Sequence, residues 1–305
     1  MTSVVANLLA LLVMPVVLVG TINRVKARWV GRRGPPILQL GFDLWRLVRK
    51  TPVYSTVTTP VFRIGPYVVL GTAVASACIV PLAGTTSLVG FSFDFVWFAY
   101  VWSLGRVALM LGALDTGSSF EGMGASREAT FATLLDPILF LVAGALCLHS
   151  GVRSFAAALV PHLDGPPAFV MWVAAIAALL VVVQVESARM PVDDPTTHLE
   201  LTMVHEVMTL DHSGPELALL QLASAIKLYV GVSVIAMLLD PIAGSSSLVT
   251  VAAHLGLCLA IGVALGMSES LIARLKLRLV PAYIVIGLLA AGIALLSILG
   301  RGGHG

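Results

Sequence analysis

The sequence predicts an all-α integral membrane protein of about eight transmembrane helices plus one interfacial amphipathic helix. Three observations predict it. The chain has 305 residues, 58% of them hydrophobic and only 11% charged. Its mean hydropathy is +0.98. Its apolar residues gather into eight runs long enough to span a bilayer, which takes roughly 20 residues each. A soluble domain carries about 25% charged residues, so too few charges exist here to cover a surface facing water. That excludes a soluble enzyme and a disordered regulator. A net charge of +2 offers no basic face for nucleic acid.

The runs fall at about 2–22, 66–84, 95–114, 131–149, 168–187, 217–239, 248–267 and 281–299. They make one membrane domain, 1–305. The first run lacks a basic segment before it and an A-x-A cleavage site, so it reads as a retained helix and not a signal peptide. The loops 23–65, 115–130, 188–216 and 268–280 hold 14 of the 18 lysines and arginines. Arg153 and Arg301 alone lie on the other face. The positive-inside rule places the basic loops in the cytoplasm and both termini outside the inner membrane.

Within the first loop, Ile37, Leu40, Leu44, Leu47 and Val48 recur at helical spacing, with Asp43, Arg46 and Lys50 off the stripe and Trp45 beside it. This is the pattern of a helix lying in the membrane interface. A short packing helix on the aqueous side has the same pattern. Cys78, Cys147 and Cys258 sit far apart in apolar runs, which suits buried small hydrophobes and no metal or disulfide framework.

Ionisable groups inside spans need a reason to be there. Arg106 lies in the third run, Asp136 near the start of the fourth, Glu186 at the end of the fifth and Lys227 in the middle of the sixth. Each could snorkel or pair for structure. A carboxylate and an amine facing each other in a bundle would instead relay protons, because burial draws such groups toward exchange near neutrality.

The fifth connection, 186–216, holds seven of the 16 acids: Glu186, Asp193, Asp194, Glu200, Glu206, Asp211 and Glu216. Pro191 and Pro195 break the preceding helix, and 196–210 has a helical pattern. His198, His205 and His212 are seven residues apart. Neighbouring members on a straight helix are about 10.5 Å apart along its axis. Zinc–nitrogen bonds are about 2 Å long, so one ion cannot bridge them.

This connection carries the clearest motif. The stretch E-S-A-R-M-P-V-D-D-P, followed by Glu200 and His205-Glu206, resembles the E-x-x-R-x-P-F-D-x-P signature of the NADH dehydrogenase subunit 1 family. That family supplies the membrane subunit at the junction of the two arms of respiratory complex I. R-R-G-P-P before the amphipathic segment resembles its first loop. G-A-S-R, with Asp136 nine residues after Arg127, resembles its third-loop motif, with aspartate where glutamate is usual. Between the last two spans the chain reads S-E-S-L-I-A-R-L-K-L-R-L-V-P, not the R-Y-D-Q-L-M-type stretch that lies beside the quinone in complex I members. That wording resembles the hydrogenase-type branch, which includes the hydrogenase 4 component C and formate hydrogenlyase subunit 4 proteins. The departure counts against quinone reduction.

The resemblance implies a non-catalytic subunit that anchors a peripheral Fe–S arm and couples electron transfer to proton or sodium translocation. By motif, Glu186, Arg189, Asp193, Asp194, Glu200 and Glu206 carry over from the fifth loop, and Arg127 and Asp136 from the third. Arg106 and Lys227 join the coupling set on burial alone. Arg127, Arg189, Arg32 and Arg33 are expected to dock the arm. No cofactor is expected on this chain. Fe–S clusters are expected in partner subunits, with a NiFe site there left open. Expected partners are an Fe–S small-subunit-like protein, a hydrogenase large-subunit-like protein, antiporter-like membrane subunits and lipid, with no nucleic acid. The alternatives are a quinone-site subunit of complex I, a stand-alone transporter built on broken helices, and an intramembrane hydrolase using His205 and Glu206.

Overall fold

A computed structural model describes residues 2–162, 165–193, 204–243 and 247–300. Eight helices are long and apolar enough to cross a membrane. They are α1 (Thr2–Trp29), α3 (Pro60–Ile79), α4 (Asp94–Asp115), α5 (Ser119–Ser150), α7 (Pro166–Glu186), α8 (Gly214–Leu239), α9 (Leu248–Leu271) and α10 (Val280–Leu299). Two short helices, α2 (Gln39–Val48) and α6 (Phe155–Ala158), lie in connections. No strand occurs among the described residues.

Helix α8 is the most enclosed of the eight and α10 among the least. α8 packs against α1, α2, α3, α7 and α9, while α10 leans on α5 and α7. Large apolar side chains such as Leu12, Tyr100, Leu104, Leu289 and Leu296 remain exposed on the outer flanks. That is the belt a lipid phase would cover, and helices suit it because each satisfies its own backbone groups. Pro15, Pro66 and Pro137 sit inside long helices, as membrane helices tolerate.

Local chemistry sets the helix ends. Pro60 opens α3, and the Thr59 side chain accepts from Val61 N. The Asp115 carboxylate at the end of α4 accepts from Thr59 N at 2.7 Å, Thr59 Oγ1 at 2.8 Å and Phe62 N at 3.2 Å. One helix terminus thus caps the next. Gly151, at φ 68°, closes α5 in the left-handed conformation.

Two sequence expectations shift. The sequence predicts a third loop over 115–130, but α5 begins at Ser119 and leaves only 116–118 as connection. Glu121, Gly124, Ala125, Glu128, Phe131 and Leu135 fall on one helical face and are all buried, so packing extends the helix through a charged stretch. In the fifth connection the described part of the expected 196–210 helix is a single 3₁₀ turn, Glu206–Thr209. Residues 194–203 lie outside the described set.

The amphipathic helix α2 forms where its period places it, but its apolar side chains divide. Leu40, Leu44 and Leu47 are half-buried, whereas Phe42, Trp45 and Val48 are exposed. Arg49 lies over the Trp45 ring at 4.3 Å.

At the face opposite the basic loops, 80–90 folds back onto the bundle. Asn7 of α1 accepts from Ala83 N at 3.0 Å and donates to Thr86 O at 2.9 Å. Tyr229 donates to Leu82 O. His254 and Ser233, both fully buried, meet at 2.9 Å. Gly84, at φ 71°, has no room for a side chain, since a Cβ there would lie 2.5 Å from His254 Cβ.

Candidate functional site

The four ionisable residues placed inside spans by sequence come together. Arg106 on α4 reaches α5 and α7 at once. Its guanidinium bonds Asp136 and lies 2.9 Å from Glu186 Oε1. Lys227 Nζ on α8 is 3.7 Å from Glu186 Oε2 and 5.6 Å from the centre of the Trp102 ring. Lys227 is thirteen residues beyond Gly214, about 20 Å along the helix axis. Gly105 lets α3 pack close beside the amine, since a Cβ there would lie 2.5 Å from Thr72 Oγ1, with Lys227 Nζ in ordinary contact at 3.4 Å.

Glu128 of α5 lines the same small cavity as Arg106, Glu186, Lys227 and His205. Sequence reading missed it by treating 115–130 as a loop. The signal was present in the three- and four-residue spacing from Glu121 to Leu135. With Glu128 the cluster holds two cations and three carboxylates, a formal charge of −1. Glu186 is 7% exposed, Arg106 4% and Lys227 8%. Arg106 Nη1 and Glu186 Oε1 approach without an aligned hydrogen bond. Charges this dry and incompletely bonded respond strongly to one added proton.

A second group ties the fifth connection to its neighbours. At the end of α7, Ala188 adopts φ 48°, a left-handed conformation that costs a non-glycine residue about 1–2 kcal/mol. The turn sends Arg189 inward to Glu269 of α9 at 2.9 Å, and Lys26 of α1 meets the same carboxylate at 2.8 Å. Asp193 is buried. It takes Arg274 at 3.1 Å and accepts from Val204 N at 3.0 Å and His205 N at 3.2 Å. Leu275 N donates to Pro191 O at 2.9 Å. Gly124 lets this connection lie against α5, because a Cβ would come within 2.3 Å of Val207 Cγ1.

A third group lies at the start of α8. Tyr54 donates to Glu216 at 2.6 Å, and the His212 ring stacks on Phe62 at 3.9 Å and lies 3.5 Å from Glu216. Burial holds the His212 imidazole below its ordinary range, with Glu216 opposing. Burial and nearby Lys227 do the same to His205, partly offset by Asp193 and Glu186. Between these groups opens a cavity of about 870 Å³, with Lys26, Asp43, Arg189, Glu206 and Glu269 on its polar wall.

The expected docking residues divide. Arg32 and Arg33 are exposed just past α1, and Arg127 is half-exposed on α5. Arg189 is engaged with Glu269 and its side chain is 13% exposed, on the wall of the cavity. Asp194, Glu200 and His198 lie outside the described residues. Among the described residues no group of three His, Cys, Asp or Glu side chains is placed to hold a metal ion.

Comparison with known proteins agrees with this architecture. The family model for NADH dehydrogenase matches residues 2–299. The chain belongs to the NADH dehydrogenase family. Hydrogenase-4 component C of Escherichia coli (strain K12) is 30% identical over 239 residues, covering 77% of this chain and 74% of that one. Formate hydrogenlyase subunit 4 of the same organism is 35% identical over 125 residues, 41% of each chain. A chain in the structure of the membrane-bound sulfane sulfur reductase, an archaeal respiratory membrane complex, shares the fold. It superposes with a TM-score of 0.76 over 96% of this chain and 100% of its own, at 18% identity. The NADH dehydrogenase assignment thus spans all eight membrane helices and the charge cluster between them.

Proposed function

We propose that this chain is a membrane-arm subunit of a hydrogenase- or formate-hydrogenlyase-type oxidoreductase. In this reading it anchors an Fe–S peripheral arm and couples electron transfer to proton translocation. The observation that carries the proposal is the buried cluster of Arg106, Asp136, Glu128, Glu186 and Lys227. Three carboxylates against two cations in a largely buried site favour one exchangeable proton. A charge change at the arm would shift where that proton sits. Asp193, Glu206 and the expected Asp194 and Glu200 would link the cluster to the arm. The relatives' names support the complex type, and the 14 basic residues on one face support a cytoplasmic-membrane location with both termini outside.

The partners implied are an Fe–S small-subunit-like protein, a hydrogenase large-subunit-like protein and antiporter-like membrane subunits. The chain itself would need no cofactor. A second reading, a quinone-reactive site, is favoured by one observation. The cavity of about 870 Å³ combines its polar wall with Leu40, Leu210, Leu217 and Leu220, a size and lining suited to a small-molecule ligand.

The test is affinity purification of the tagged chain in mild detergent, with mass spectrometry of what accompanies it. Iron–sulfur and antiporter-like subunits are expected. A chain that purifies alone and still catalyses ion flux in liposomes would replace the proposal with a stand-alone transporter.

A further inference from the structure

We propose that His205 carries protons between the 870 Å³ cavity and the buried charge cluster. The inference rests on the coupling role proposed above and assigns its point of proton entry. Three residues line both spaces: His205, Leu220 and Ser224. They are the wall between them. Leucine carries no exchangeable proton, and a serine hydroxyl neither gains nor loses one outright near neutral pH. The imidazole alone does both.

Its surroundings suit that task. The inner cavity measures about 20 Å³, enough for a single water, and its polar lining includes Glu128, Glu186, Arg106 and Lys227. One water there would stand between the ring and the carboxylates. Burial keeps the ring below its ordinary protonation range, so at neutral pH it rests neutral, with one nitrogen carrying a proton to give and the other free to accept one. The groups acting on it are Lys227, Asp193 and Glu186. Glu206 follows it in the chain, and Glu269 and His212 line the outer cavity. In the transfer, one ring nitrogen binds a proton delivered through cavity water, and the hydroxide left behind is reprotonated from the bulk water that fills the open cavity. The other nitrogen releases its own to the inner water, which passes one on to a cluster carboxylate. A flip of the ring then returns the protonated nitrogen to the inner side. No atom is left unaccounted for, and no oxidant is needed.

The backbone fixes where the ring sits. Asp193 accepts from His205 N, and Arg274 holds the other oxygen of that carboxylate. The position of the relay is thereby tied to the α9–α10 connection.

The experiment uses the whole complex purified through this chain, reconstituted in liposomes, with proton movement and electron transfer measured together. His205→Ala and His205→Gln are expected to lower proton movement at least about tenfold while the partners still co-purify. Millimolar imidazole, which the open cavity admits, is expected to restore His205→Ala. Wild-type proton movement in either variant overturns the proposal. So does a loss that imidazole leaves uncorrected, or failure of both variants to assemble, since each assigns His205 a structural role. Glu186→Gln, run in parallel, separates the two levels. If it too moves protons normally, the coupling reading fails, whereas loss in that variant alone leaves coupling intact and removes only His205.

Discussion

Replacing Arg106 with methionine keeps much of the side-chain stem and removes its charge. Three carboxylates would then face Lys227 alone, and the formal charge of the cluster would fall from −1 to −2. Glu186 is almost fully buried and would share only Lys227 with the other two carboxylates, so losing the closer of its two cations costs about 3–5 kcal/mol. The Asp136 side chain is 34% exposed, and solvent screens its share to about 0–1 kcal/mol. We expect Arg106→Met to destabilise the protein by about 3–5 kcal/mol. Adding Glu186→Gln returns the charge to −1. The double variant is therefore expected to be less damaged than the two single changes summed, with a coupling of about 2 kcal/mol. Cys258 is fully buried while Cys78 and Cys147 are half-buried, so with those two replaced by serine a thiol-reactive fluorophore can follow unfolding in detergent. A single-variant loss under about 1 kcal/mol, or strict additivity in the cycle, would refute the reasoning.

Gly84→Ala should destabilise the protein by about 2 kcal/mol or more, because it combines a positive φ with a clash on His254; the same thiol assay would read it, and an unchanged midpoint would count against the described packing. Arg274→Gln frees one side of Asp193 and is expected to speed limited proteolysis within 190–210; an unchanged cleavage rate would show that the tether does not hold the connection. Stability should fall as pH drops through about 6.5, the ordinary histidine value. His205 and His212 are held below that value when folded, so the unfolded chain binds more protons there and acid favours it. Replacing His212 with asparagine should flatten that slope, and an unaltered slope would remove His212 from the account.

Sequence reasoning reached far into this site for a physical reason. A charged group in an apolar run stands out, because lipid tolerates it only with a partner. Arg106, Asp136, Glu186 and Lys227 were each legible for that reason, although which met which was not. They come from four helices, and no spacing rule connects positions 30 to 120 residues apart. Glu128 and Glu269 were missed because hydropathy ends a run at its first charges. The buried stripe from Glu121 to Leu135 shows that α5 continues through them. The motif points to Arg189 but not to its inward contact, since its Glu269 partner lies 80 residues away. The α2 stripe was visible, yet its division into half-buried Leu40, Leu44 and Leu47 and exposed Phe42, Trp45 and Val48 depends on how α2 sits against α8.

The central claim is that the buried charge cluster links electron transfer to proton movement. The measurement that bears on it most directly is proton translocation per electron pair in proteoliposomes holding the assembled Glu186→Gln complex. The account predicts continued electron transfer with proton translocation lost. Wild-type translocation in that assembled complex would contradict it.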